Sequence, residues 1–139
     1  MVNLICGPTG CGKTQKLIDS ANSELKNTNG LIVYIDNEDK HRLSIDNQIR
    51  FINAKESMIE NSDQFFGFIC GIIAENYDVN RIFIDNIIST AHLADNQALK
   101  DMITRLGKVG ENTELKIIIT IDSADADFVD EKECNYQTV

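Results

Sequence analysis

Residues Gly7 to Thr14 read Gly-Pro-Thr-Gly-Cys-Gly-Lys-Thr, an unbroken G-x-x-x-x-G-K-T pattern between a short apolar run and an amphipathic segment. A chain with this pattern in that setting is constrained to strand, loop and helix in that order. Val2-Asn3-Leu4-Ile5-Cys6 can form the buried strand, and the loop can turn backbone N–H groups toward an anion at the positive end of the next helix. Gly7, Gly10 and Gly12 are expected to supply positions where the backbone can take left-handed conformations and approach phosphate oxygens closely. Lys13 is a mobile charge for the outer phosphates, and the Thr14 hydroxyl suits a Mg²⁺ ion bridging them. The expected phosphate-contacting stretch is Gly7, Pro8, Thr9, Gly10, Cys11, Gly12, Lys13, Thr14 and Gln15. The competing reading, a glycine-rich turn with an incidental lysine, needs every fixed position and both flanks to coincide.

Hydrophobic periodicity extends the pattern. Leu17, Ile18, Ala21 and Leu25 share one helical face, and the helix is expected to stop near Asn27. The turn signal Asn27-Thr28-Asn29-Gly30 precedes a second buried strand, Leu31 to Ile35, which ends at Asp36. A short edge strand is expected near Ile49 to Asn53. From Ser62 the pattern is helical and unusually apolar, through Phe65, Phe66, Phe68, Ile69, Ile72, Ile73 and Tyr77. Ser62 or Asp63 would cap that helix, and its composition predicts burial on more than one side. The spacing of its aromatic residues reads as core in preference to a base-stacking platform.

Arg81-Ile82-Phe83-Ile84-Asp85 is the second informative segment: a buried strand whose aspartate emerges at the carboxyl end, the Walker B pattern. Downstream of a full phosphate loop, Asp85 is expected to hold Mg²⁺ together with Thr14. A further helix, capped by Asp95 and carrying Leu99, Met102, Ile103 and Leu106, ends at Gly107 or Gly110. The strand Leu115 to Ile121 follows, leading into Asp122. Residues 1–123 are thus expected to form the nucleotide-binding domain, and 124–139 an acidic partial helix or tail. The implied architecture is a three-layer α/β/α, P-loop NTPase-like domain with a mostly parallel sheet of about five strands.

Size and charge narrow the function. The 139 residues suffice for one domain but leave little room for a kinase's lids and acceptor pocket. Scattered cations and a net charge of −9 argue against general nucleic-acid binding, which relies on clustered cations. Cys6, Cys11, Cys70 and Cys134 show no C-x-x-C pair and no signal peptide precedes them, so a reduced, cytoplasmic protein is expected, with no membrane partner.

Parallel sheets bind ligands at the carboxyl ends of their strands, so Asp36, Asp85, Thr120 and Asp122 should converge on the loop. Capping of its own strand is the favoured reading of Asp36. The position after Asp85, where many related ATPases place a glutamate, is Asn86, which can hold a water but not take its proton. The catalytic residues are left open among Asn86, Thr120 and Asp122, with Glu38 or an unassigned side chain as further substitutes for the missing glutamate, and slow turnover is expected. Arg42, Arg50, Arg81 and Arg105 read as surface or sheet-edge residues; an arginine supplied in trans within a homo-oligomer is the alternative. His41 and His92 read as surface residues. Base choice defaults to ATP, because Thr120-Ile121-Asp122 lacks the lysine of a guanine-reading N/T-K-x-D motif.

Residues 7–19, with Ile82-Phe83-Ile84-Asp85 and Phe66-Gly67-Phe68-Ile69-Cys70-Gly71, resemble the small stand-alone P-loop ATP-binding proteins of Gram-positive gut bacteria, over most of the chain. Those proteins are often labelled twitching-motility ATPases, but the likeness to such motors is confined to the loop. The resemblance implies ATP binding without a cellular task. The core is distantly similar to type II thymidine kinases; Asn86 replaces their catalytic glutamate, and their zinc lobe and nucleoside lasso have no counterpart. Three functions stand in view: an ATP-Mg²⁺ switch or slow ATPase acting on an unidentified protein partner, a small phosphotransferase of nucleoside-kinase type, and a degenerate-loop adaptor without turnover.

Overall fold

Alternation along the apolar runs sends successive side chains to opposite faces of one sheet, and helices cover both. The structure, a computed structural model, describes residues 1–122 and the backbone of 135–138. Its strands are β1 (Val2–Gly7), β2 (Leu31–Asp36), β3 (Arg50–Asn53), β4 (Val79–Ile84), β5 (Lys116–Asp122) and β6 (Asn135–Thr138), ordered β3-β2-β4-β5-β1-β6. The first five run parallel and β6 pairs antiparallel with β1. The helices are α1 (Lys13–Glu24), α2 (Ser62–Glu75), α3 (Ile87–Thr90) and α4 (Asn96–Val109).

The direction of travel across the sheet decides which face each connection covers. From β1 to β2 to β3 the chain moves one way, and from β3 to β4 to β5 it moves back. Right-handed crossovers therefore place the two sets of connections on opposite faces. On one face Leu17, Ile18 and Ala21 of α1 pack with Ile5, Ile32, Tyr34, Phe83 and Ile118, joined by Ile45 and Ile49 from the β2–β3 connection. On the other, Phe65 and Ile69 of α2 and Leu99, Met102 and Leu106 of α4 pack with Leu4, Cys6, Val33, Ile35, Ile82, Ile84, Ile117 and Ile119.

Three local expectations are corrected. α2 is capped by Asn61, whose side-chain oxygen accepts the Gln64 N–H at 2.9 Å; Ser62 and Asp63 already lie in the first turn, and Asp63 pairs with Arg105 at 3.0 Å. Only one stripe of α2 is fully buried, Phe65 and Ile69, while Phe66, Phe68, Ile72 and Ile73 are half-buried. The Arg105 guanidinium lies 4.0 Å above the Phe66 ring, so an amphipathic side chain covers part of what composition assigned to the core. Finally, Asn135–Thr138 is a strand, drawn into the sheet by the backbone groups along the outer side of β1. The rest of the expected tail lies outside the described residues. α4 begins as expected, with Asp95 accepting the Ala98 N–H at 2.8 Å. Among the described residues no helix is long and apolar enough to cross a membrane.

Phe65 is fully buried, whereas Tyr77 is 100% exposed. Phe65→Ala should cost about 3–5 kcal/mol and Tyr77→Ala no more than about 0.5 kcal/mol, read from denaturant midpoints at a common slope. Equal effects would contradict the packing described.

Candidate functional site

The register brings the carboxyl ends of the central strands level. Gly7 pairs with Asp122 and Ile84 with both Ile35 and Ile119; the Asp85 N–H donates to the Ile35 carbonyl at 2.9 Å and carries the pairing one residue further. The two-residue period then chooses the face. Tyr34 leads to Asp36, Phe83 to Asp85 and Ile118 to Thr120, all on the side covered by α1. The polar strand ends and the start of α1 therefore occupy the same region.

The loop leading into α1 needs glycine for its conformation. Gly10 has φ +82° and Gly12 φ +96°, with open space where a Cβ would stand, so the left-handed backbone and not crowding demands glycine at both. Gly7, expected to share that conformation, is instead the last residue of β1 and has no positive φ. Gly12 starts α1 and accepts the Lys16 N–H at 3.0 Å. Asn61 and Asp95 cap α2 and α4 with side chains, but α1 begins with no side-chain cap among the described residues and no acid in its first turn. Its leading N–H groups and positive dipole end are left for another acceptor. The Lys13 ammonium is folded back over the loop and donates to the carbonyls of Gly7 and Pro8, both at 2.9 Å.

Asp85 ties the loop to the sheet. It is 5% exposed and accepts the Thr14 hydroxyl at 3.0 and 3.3 Å and the Thr120 hydroxyl at 2.6 Å. Thr120, itself buried on the intervening strand β5, accepts the Asn86 N–H at 2.7 Å. Its hydroxyl is thus both donor and acceptor, and holds the carboxylate in place. Asn86 takes a left-handed conformation, φ +49°, and the Thr90 hydroxyl donates to the Asp85 carbonyl at 2.7 Å. The short α3, not anticipated from the sequence, supplies that last bond. Thr9 donates to the Asp122 carboxylate and so joins the loop to β5.

These groups enclose a cavity of about 430 Å³ lined by Thr9, Gly10, Gly12, Lys13, Thr14, Asp85, Asn86, Thr120 and Asp122. All three catalytic candidates and both expected metal ligands lie on its wall. Gly7, Pro8, Cys11 and Gln15 are not part of the lining. Gly7 and Pro8 serve through the carbonyls that hold Lys13, and the Gln15 amide turns outward to Asp19 at 2.9 Å. Arg42 pairs with Asp39 at 2.9 Å and Arg81 with Glu24 at 2.8 Å; no described arginine lines the cavity.

Asp36 is more than the strand cap that its position suggests. One carboxylate oxygen does accept the Asn37 N–H at 2.7 Å. The residue is nevertheless only 2% exposed, and its Oδ2 has no hydrogen-bond partner among the described residues. Burial, and then the charge of Asp85, push its carboxyl up to about 7; the backbone N–H groups of Asn37 and Glu38 work against them, while the Glu38 charge adds to the rise. Two residues earlier, Tyr34 stacks on Phe51 and Phe83 with ring centroids 5.9 and 6.5 Å away, and its buried Oη is likewise unpartnered among the described residues. Burial and the charges of Asp85 and Asp36 raise the phenol far above its ordinary range. The available sequence signal was the Tyr34-x-Asp36 spacing, which places both on the face of Asp85. No protein-family model matches the chain, and no curated protein matches it.

Asp36 generates a pH prediction for metal-free protein. Its folded value of about 7 lies above the ordinary 3.8, so on raising the pH the unfolded chain releases its proton first and stability falls between those values. Asp36→Asn should remove that slope. The variant's advantage in urea midpoint is then expected to grow from about pH 4 to about pH 7 and level off above; parallel curves would refute it.

Proposed function

We propose that this chain is a P-loop nucleotide-binding protein that takes ATP with Mg²⁺ and works as a nucleotide-dependent switch or slow ATPase. The observation that carries the proposal is the Thr14–Asp85 pair, 3.0 Å apart at the start of α1, which has no side-chain cap among the described residues, with Lys13 lining the same cavity. A helix N-terminus and a lysine suit a polyphosphate. A hydroxyl and a carboxylate, oxygen donors only, suit a hard divalent ion. Among the described residues no group of three or more His, Cys, Asp and Glu side chains could hold a metal ion, so the phosphates are needed to complete its coordination.

The protein's own bonds act as placeholders. Lys13 exchanges the Gly7 and Pro8 carbonyls for phosphate oxygens, and Thr14 turns its hydroxyl from Asp85 to the cation. Thr120 keeps Asp85 oriented through the exchange, since its hydroxyl donates to Asp85 and accepts the Asn86 N–H independently of Thr14. The bound cation would neutralise charge on the outer phosphates.

Slow turnover follows from what surrounds that centre. Asn86 cannot accept a proton from water, and Thr120 has its hydroxyl committed. Among the described lining residues not assigned to the cation, Asp122 remains able to act as a base, and it is engaged by Thr9. A protein that holds its nucleotide for long periods suits control of a partner better than rapid metabolism. ATP is preferred over GTP because Thr120-Ile121-Asp122 carries no base-reading lysine.

Lys13→Ala should raise the ATP dissociation constant by about 10- to 100-fold, the loss of charge-assisted hydrogen bonds, while thermal stability changes little; calorimetric titration showing wild-type affinity would make the loop decorative. Phosphate release by wild-type protein should stay below about 1 s⁻¹, the low end for kinases. It should also be indifferent to added nucleosides and amino sugars. Stimulation by an acceptor would identify a phosphotransferase instead.

A further inference from the structure

Two buried polar atoms beside the site are not accounted for by the fold. Asp36 Oδ2 and Tyr34 Oη are each buried without a hydrogen-bond partner among the described residues. They come from one strand, two residues apart, on the face that carries Phe83, and Ile35 pairs with Ile84, so Asp36 and Asp85 follow side by side on neighbouring strands. Leaving one such atom orphaned is costly, and a buried carboxylate beside a second carboxylate is more so. A fold needing only a strand cap at position 36 is served by the single oxygen that accepts the Asn37 N–H. The other oxygen, together with the phenol, supplies one acceptor and one donor-acceptor on the strand next to the one that ends in Asp85. That is the equipment for fixing water in the hydration shell of a cation, which for Mg²⁺ retains several waters.

We propose that Asp36, assisted by the Tyr34 hydroxyl, forms an outer layer of the divalent-cation site, holding water ligands of the ion bound by Thr14, Asp85 and the nucleotide phosphates. This assignment rests on the ATP-Mg²⁺ reading and adds to it the residues that set how strongly nucleotide affinity depends on the cation. The positive ion offsets the repulsion between Asp36 and Asp85, so the arrangement is least stable without metal and most stable in the ternary complex. Neither residue touches the phosphates in this scheme, so nucleotide binding without a divalent ion requires neither.

The test measures ATP affinity in EDTA and across a Mg²⁺ titration, with Mn²⁺ electron paramagnetic resonance as a direct readout of the bound ion. Asp36→Asn, which keeps the acceptor for the Asn37 N–H, should weaken Mg²⁺ and Mn²⁺ in the ternary complex by about tenfold, as outer-layer ligands do. ATP binding in EDTA should be retained at wild-type affinity or tighter, since the substitution removes a negative charge near the phosphates. Tyr34→Phe, which keeps the ring stacking, should show a smaller loss in the same direction. Wild-type cation affinity in both variants, with ATP still bound, overturns the assignment and leaves the ATP reading standing. Failure of wild-type protein to bind ATP with or without Mg²⁺ overturns both.

Discussion

The Asp85 carboxylate is the point at which three parts of the chain are held in common. It receives a hydroxyl from α1 through Thr14 and another from β5 through Thr120, and its own backbone is fastened to β2 and α3. A carboxylate this deeply buried is tolerable only when several donors meet it. Satisfying that demand sets the start of α1 against the ends of β4 and β5. Lys13, Thr9 and Asp122 are then arranged around an enclosure instead of along an open surface.

That meeting is possible because of the sheet order. β5 lies between the loop-bearing β1 and β4, so Thr120 sits under the gap that Thr14 and Asp85 span. The reversal of chain direction sends α1 to one face and α2, α3 and α4 to the other. The strand ends flanking that reversal are therefore left uncovered by a returning helix, the general reason ligands settle at such crevices. The same geometry gathers negative charge, since Asp36 and Asp85 end strands that are direct neighbours. The molecule accepts a local electrostatic cost at the place where a cation would relieve it.

Much of this was legible in the residues. The loop, the apolar strands ending in Asp36, Asp85 and Asp122, and the Asp95 cap are local patterns whose physics spans only a few neighbours. The short edge strand near Ile49 to Asn53 was also visible, as period-two alternation. What misled was composition taken for burial: α2 looks apolar all round, yet an arginine from α4 shields Phe66. Asp36 looked like a cap because sequence shows its neighbour Asn37 but not Asp85, which is 49 positions away along the chain.

By itself the sequence determined the strand–loop–helix unit, the left-handed backbone at Gly10 and Gly12 though not at Gly7, and the alternation that puts Tyr34, Asp36, Phe83 and Asp85 on one face. These follow from backbone sterics and side-chain period. Only the tertiary structure decided that Thr120 orients Asp85, that Lys13 rests on the carbonyls of its own loop, and that Asp36 Oδ2 and Tyr34 Oη are left without partners among the described residues. Those depend on strand order and on distances between remote segments, which are set by the packing of the whole sheet.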